Sequence, residues 1–265
     1  MNKVFKALSN PQQLTRTPEL KYWVFIVCLV FAIYTTFSNG DFSFLLTLSS
    51  LLSSLSFLGI YLQVQISDSG LSKCTFLLYT LVYLFRLCSI LPYESYLPND
   101  STGDWLYQVI EILSFIQSAV LAYKVKLNKE NPNFLAVGPL VFFFSLLVHP
   151  TLNRNFFTDS CWMASMLLEP FALVPLMWRV KQTNDFENFS SHFIAAQSMS
   201  KILSFTFWLD TYAELNKTYA KVYIFHYISG YFVVAAQLGT MGYTGHFLWY
   251  YLKSAVFGTP LVLPL

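Results

Sequence analysis

The chain has 265 residues, 55% of them hydrophobic and only 11% charged, against about 25% charged in an average soluble domain. One soluble core of this size cannot hide so much apolar surface, so a soluble globular protein is excluded. The formal charge of +2 comes from scattered rather than clustered basic residues, which excludes nucleic acid as a partner.

In chain order, eight apolar runs approach the roughly 20 residues that a helix needs to cross hydrocarbon. The runs are Tyr22–Phe37, Phe42–Leu62, Leu71–Leu91, Trp105–Tyr123, Phe134–Val148, Ser160–Trp178, Ser190–Leu209 and Val222–Leu252. Helices are required because an unpaired backbone group in lipid costs several kcal/mol, and no run shows the alternation of a membrane β-strand. The last run is long for one span and is expected to tilt, or to bend near Gly239 and Gly242. The first follows a leader containing Lys3, Lys6, Arg16 and Lys21, with Glu19 its only acid, and reads as a retained helix rather than a cleaved signal. The fold class is therefore an all-α polytopic membrane protein in contact with membrane lipids.

Loop charges orient it. With the N-terminus on side A, that side collects eleven basic residues: Lys3, Lys6, Arg16, Lys21, Lys73, Lys124, Lys126, Lys129, Arg179, Lys181 and Lys253. Side B holds three, Arg154, Lys217 and Lys221. Side A is thus the cytosolic or matrix-like face, and both termini lie there. Tyr22, Trp23, Trp105, Trp178, Trp249, Tyr250 and Tyr251 stand at segment ends as interfacial anchors.

Chemistry-bearing residues are few. Cys28, Cys74, Cys88 and Cys161 lie in apolar runs without metal or redox spacing and read as buried free thiols. His192, His226 and His246 are far apart and lack ligand spacing, and no catalytic or phosphate-binding motif occurs. No enzyme, metal or cofactor is expected. Four ionisable residues, Arg86, Glu111, Glu169 and Lys201, fall inside apolar helices, where each is expensive and turns inward to pair. Two readings stand: a polar cavity for an ionic ligand or protons, or ion pairs that fix helix packing.

From GLSKCTFLLYTLVYLFR (Gly70 to Arg86) through DSCWMASMLLEPFALVP (Asp159 to Pro175), SSHF (Ser190 to Phe193) and the closing LKSAVFGTPLVLPL, the chain resembles the KDEL receptors. These ER lumen protein retaining receptors are seven-helix proteins related in fold to PQ-loop and SWEET proteins. The resemblance implies a receptor-like domain over 40–265 and an extension with one extra helix over 1–39. It also implies a peptide pocket formed by Arg86, Asp159, Trp162, Glu169, Lys201 and Trp208, with Glu169 tied to pH-dependent switching.

Other family positions differ. Lys201 stands for an arginine, Ser200 and Ser204 for its flanking tyrosines, and Thr211 for a further arginine. Phe44 and Leu51 replace an arginine and a histidine, Leu176 replaces the glutamine after Pro175, and the C-terminal lysine cluster shrinks to Lys253. An acidic peptide needs several converging cations, each charged hydrogen bond contributing about 1.5–3 kcal/mol. The eroded site and added helix lead to the expectation of a non-catalytic accessory subunit of a larger membrane complex, with other membrane subunits as partners. A mitochondrial inner-membrane respiratory or ATP synthase assembly is the expected host. The alternatives are a divergent ER and Golgi retrieval receptor for C-terminal peptide signals, and a small-solute transporter.

Overall fold

A computed structural model describes residues 18–38, 42, 44–64, 71–93, 104–126, 132–152, 155–183, 188–216 and 224–257. Nine α-helices are described: α1 Pro18–Phe37, α2 Phe44–Val64, α3 Lys73–Ile90, α4 Asp104–Lys124, α5 Val137–Ser145, α6 Phe156–Ala172, α7 Val174–Thr183, α8 Asn188–Leu215 and α9 Ser229–Phe257. Short 3-10 turns, Pro132–Ala136 and Ile224–Ile228, lead into α5 and α9. Among the described residues no strand occurs. The class read from composition, a helical polytopic membrane protein, holds.

Four rods are long and apolar enough to cross a bilayer by length and composition: Phe44–Leu62, Lys73–Ile90, Trp105–Lys124 and the combined Phe156–Gln182. The apolar stretches Trp23–Thr36 and Asn133–Ser145 are shorter. Helices α8 and α9 are longer still, at 28 and 29 residues. Phe25, Phe31, Leu140, Phe143 and Leu147 stand exposed on the outer surface. Water would penalise such a surface, whereas lipid accepts it.

The helices group in threes. Helix α4 packs against both α2 and α3, while α9 packs against both α8 and α6. The two triples meet where α2 lies on α8 and α3 lies on α6, with α5 set against α6 between them in sequence. An odd helix between two triples points both the same way, the arrangement of a parallel internal repeat. Helix α6 is central, and every residue from Thr158 to Pro170 is buried.

Small side chains let the halves approach. Ser49 Oγ donates to the Ser200 carbonyl and Ser200 Oγ to the Ser49 carbonyl, both at 2.9 Å. One turn further on, Gln197 donates to Ser53 Oγ (2.9 Å) and Ser56 Oγ (2.8 Å), while Tyr79 donates to its amide oxygen (3.3 Å). Serine and glutamine at helical spacing thus hold α2 against α8, as small residues do in membrane bundles.

Several expectations are corrected. The expected span Ser160–Trp178 is two helices, because Pro170 and Pro175 interrupt the backbone ladder. The Leu176 N–H instead donates to Thr75 Oγ1 (3.0 Å), and Tyr243 donates to the Pro170 carbonyl. Gly239 and Gly242 do not break the last helix; α9 runs from Ser229 to Phe257, and an added Cβ at either glycine would meet nothing within 4 Å. Cys28 is exposed rather than buried, and Cys88 is half-buried. Trp105, Trp178 and Trp249 are exposed as interfacial anchors should be, but Tyr251 is buried. It accepts from Trp23 Nε1 (2.6 Å) and its hydroxyl also meets His192 Nδ1, tying α1 to the bundle. The leader cations Lys3, Lys6 and Arg16, the side-B cations Arg154, Lys217 and Lys221, and the closing residues 258–265 lie outside the described residues.

Candidate ligand-binding site

The two triples enclose a narrow cavity lined by α2, α3, α4, α6 and α8. Leu46, Tyr107 and Trp162 lie within the first two turns of helices that start on side B, and Trp208 lies two turns from the end of α8. Lys201 sits midway along α8 and Glu169 deep in α6. The cavity therefore occupies the side-B half of the membrane, with charges at its floor and indoles above. Its free volume is about 10 Å³, room for about one water.

All four intramembrane charges meet there. Arg86 Nη1 pairs with Glu111 Oε1 at 3.2 Å, Arg86 Nη2 with Glu169 Oε2 at 3.2 Å, and Lys201 Nζ with Glu169 Oε1 at 2.5 Å. The two readings of these residues coincide in space, since the ion pairs join α3, α4, α6 and α8 and also form the cavity wall. Isolated, each buried ion would cost several kcal/mol; arranged as cation–anion–cation–anion, each has an opposite neighbour. Ser50 Oγ donates to Glu111 Oε1 (2.7 Å), and Arg86 lies 6.0 Å from the Tyr83 ring centroid.

Trp162 and Trp208 meet edge to face at 5.5 Å. Three polar atoms of the lining are buried without a hydrogen-bond partner: Arg86 Nε, Glu111 Oε2 and Trp208 Nε1. Two are donors and one is an acceptor, and each such atom carries a desolvation penalty.

Of the residues expected at a pocket, Arg86, Trp162, Glu169, Lys201 and Trp208 line this cavity, as does Glu111. Asp159 does not; it is buried in the first turn of α6, outside the lining, where an acid complements the positive helix end. Thr211 donates to the Phe207 carbonyl of its own helix, and Phe44 is buried against Tyr34, so neither extends the cavity. The sequence reading missed Ser49, Ser50, Ser53, Tyr83, Tyr107 and Met166 as lining, and saw Ser200 and Ser204 only as losses. Their signal was helical spacing, with Ser49 and Ser53 one turn apart on α2 and Ser200 and Ser204 one turn apart on α8. His149, also overlooked, is buried against Phe156. Among the described residues no three histidine, cysteine or acidic side chains converge as a metal site.

A polar cavity holding two cations and two anions thus lies between two parallel helix triples of a helical membrane protein. Residues 67–211 match the family model described as ER lumen protein retaining receptor, and the chain belongs to that family. The chain is 26% identical over 236 residues to the ER lumen protein-retaining receptor of Kluyveromyces lactis, covering 85% of this chain and 96% of that protein. It is 30% identical over 107 residues to the protein of that name from Entamoeba histolytica, covering 40% of this chain and 45% of that one. These relatives favour the retrieval-receptor alternative; neither supports the expected mitochondrial accessory subunit.

Proposed function

We propose that this chain is a non-catalytic membrane receptor of the ER and Golgi that takes the C-terminal end of a lumenal protein into the cavity between its helix triples. The observation that carries this is the convergence of Arg86 and Lys201 beneath Trp162 and Trp208, in a chain aligned over almost the whole length of a retaining receptor. A terminal carboxylate finds cationic donors at the floor, and the indoles offer apolar and N–H contact nearer side B. Side B is then the lumen, consistent with the few cations in its loops.

The accessory-subunit reading rests on the eroded site and the added helix α1, and lipid covers the exposed apolar face of that helix as well as a partner subunit would. The test is binding of free-carboxylate tetrapeptides to the purified full chain in lipid nanodiscs, from mildly acidic to neutral pH. Saturable binding that is lost in Arg86→Ala supports the receptor; no saturable binding by any peptide overturns it. Co-fractionation of the tagged chain with mitochondrial inner membrane, rather than ER and Golgi, would overturn the compartment.

A further inference from the structure

Each charge in the cavity already has an opposite. Arg86 and Lys201 bring two positive charges, and Glu111 and Glu169 bring two negative ones, so the wall is formally neutral. A ligand bearing several acidic groups would bury uncompensated negative charge in a site of low dielectric, which is heavily unfavourable. The rest of the wall supplies no further cation; α2 and α8 present serines there.

The orphaned atoms state what would fit. Arg86 Nε–H and Trp208 Nε1–H are buried donors without acceptors, both in the lining of the cavity, and a carboxylate has two oxygens to accept from such donors. Glu111 Oε2 is a buried acceptor without a donor, although its partner Oε1 already accepts from Ser50 and Arg86. A ligand N–H would satisfy it, and an ionised carboxylate binds a cationic one most strongly.

We infer that the cavity selects a zwitterionic peptide end, a free C-terminal carboxylate accompanied by a basic side chain within the last residues, rather than an acidic tail. The carboxylate takes Arg86 and Trp208, the basic group takes Glu111, and the occupied site stays neutral. This selectivity rests on the receptor reading above.

The experiment uses the full chain in nanodiscs and three N-acetylated tetrapeptides: one with two acidic residues before a free carboxylate, one with a lysine and a glycine in their place, and the lysine peptide amidated. The lysine peptide is expected to bind about tenfold or more tighter than either other. In Glu111→Gln, which keeps an oxygen for Ser50, that preference for lysine should collapse while the need for a free carboxylate remains. In Trp208→Phe, both free-acid peptides should weaken by similar factors and their ratio should persist. Tighter binding of the acidic peptide overturns the inference while sustaining the receptor. Equal binding of the amidated and free lysine peptides also overturns it. Failure of all three, with the chain monodisperse, defeats the receptor reading itself.

Discussion

Glu169 is the hinge of the charge network, since it alone touches both cations. Glu169→Leu leaves Lys201 buried with no carboxylate at contact distance, and should destabilise the chain by about 3–5 kcal/mol. Glu169→Leu combined with Lys201→Leu removes both members of that pair and leaves Arg86 its contact with Glu111. The double variant should therefore melt above the single one in detergent-solubilised protein. Penalties that simply add would show that the two side chains do not share an interaction. The four charges were legible as a set because ions in an apolar helix have few tolerable fates. Which of them touch was not legible, because contact depends on the rotation and depth of four separate helices. Asp159 shows the same limit. It lies one turn from Trp162 on α6, yet only Trp162 reaches the cavity.

Helix contacts set the next tier. At the side-B end of α8, Gly230 lies so close to the Tyr212 carbonyl that an added Cβ would collide with backbone. The Gly230 N–H donates to Asn216 Oδ1 (2.9 Å) and Ser229 Oγ to the Leu215 carbonyl (3.0 Å), fastening the start of α9 to the end of α8. Gly230→Ala must spread that junction and should lower stability by about 1–3 kcal/mol, read as a shifted unfolding midpoint. A midpoint unchanged from the parent would mean that the junction is loose.

Segment positions were largely legible, because lipid forces the backbone into helices whatever the side chains prefer. Phe42–Leu62 against the observed Phe44–Val64 is typical of the agreement. Breaks were less legible. Pro175 was noticed only as part of a family motif, yet with Pro170 it divides one long run into α6 and α7. Gly239 and Gly242 do not divide α9 in the same way, and nothing crowds an added Cβ at either. The last run stays long, because α9 alone spans 29 residues after the turn Ile224–Ile228.

At the scale of the molecule, the division into 1–39 and 40–265 is a proposal about which helices need one another. Helix α1 touches α2 and α9 only sparsely, through Tyr34 near Phe44 and Trp23 near Tyr251. Removing residues 1–39 should leave a folded bundle with an intact cavity, checked by monodisperse elution and unchanged peptide affinity. Aggregation of the shortened chain would make α1 part of the core instead. The body could be recognised from Gly70 onward because its motifs keep their order along the chain. The repeat of threes could not, because Arg86 on α3 and Lys201 on α8 correspond by position within each triple, with no shared sequence around them.

The tightness of the closed cavity has a kinetic consequence. A site with room for about one water admits a peptide only after α2 parts from α8 or α3 from α6. Stopped-flow traces with rising ligand should then bend toward a ceiling set by that parting, with early association far slower than diffusion allows. A rate that climbs in proportion to concentration throughout would mean that the gate stands open before any guest arrives.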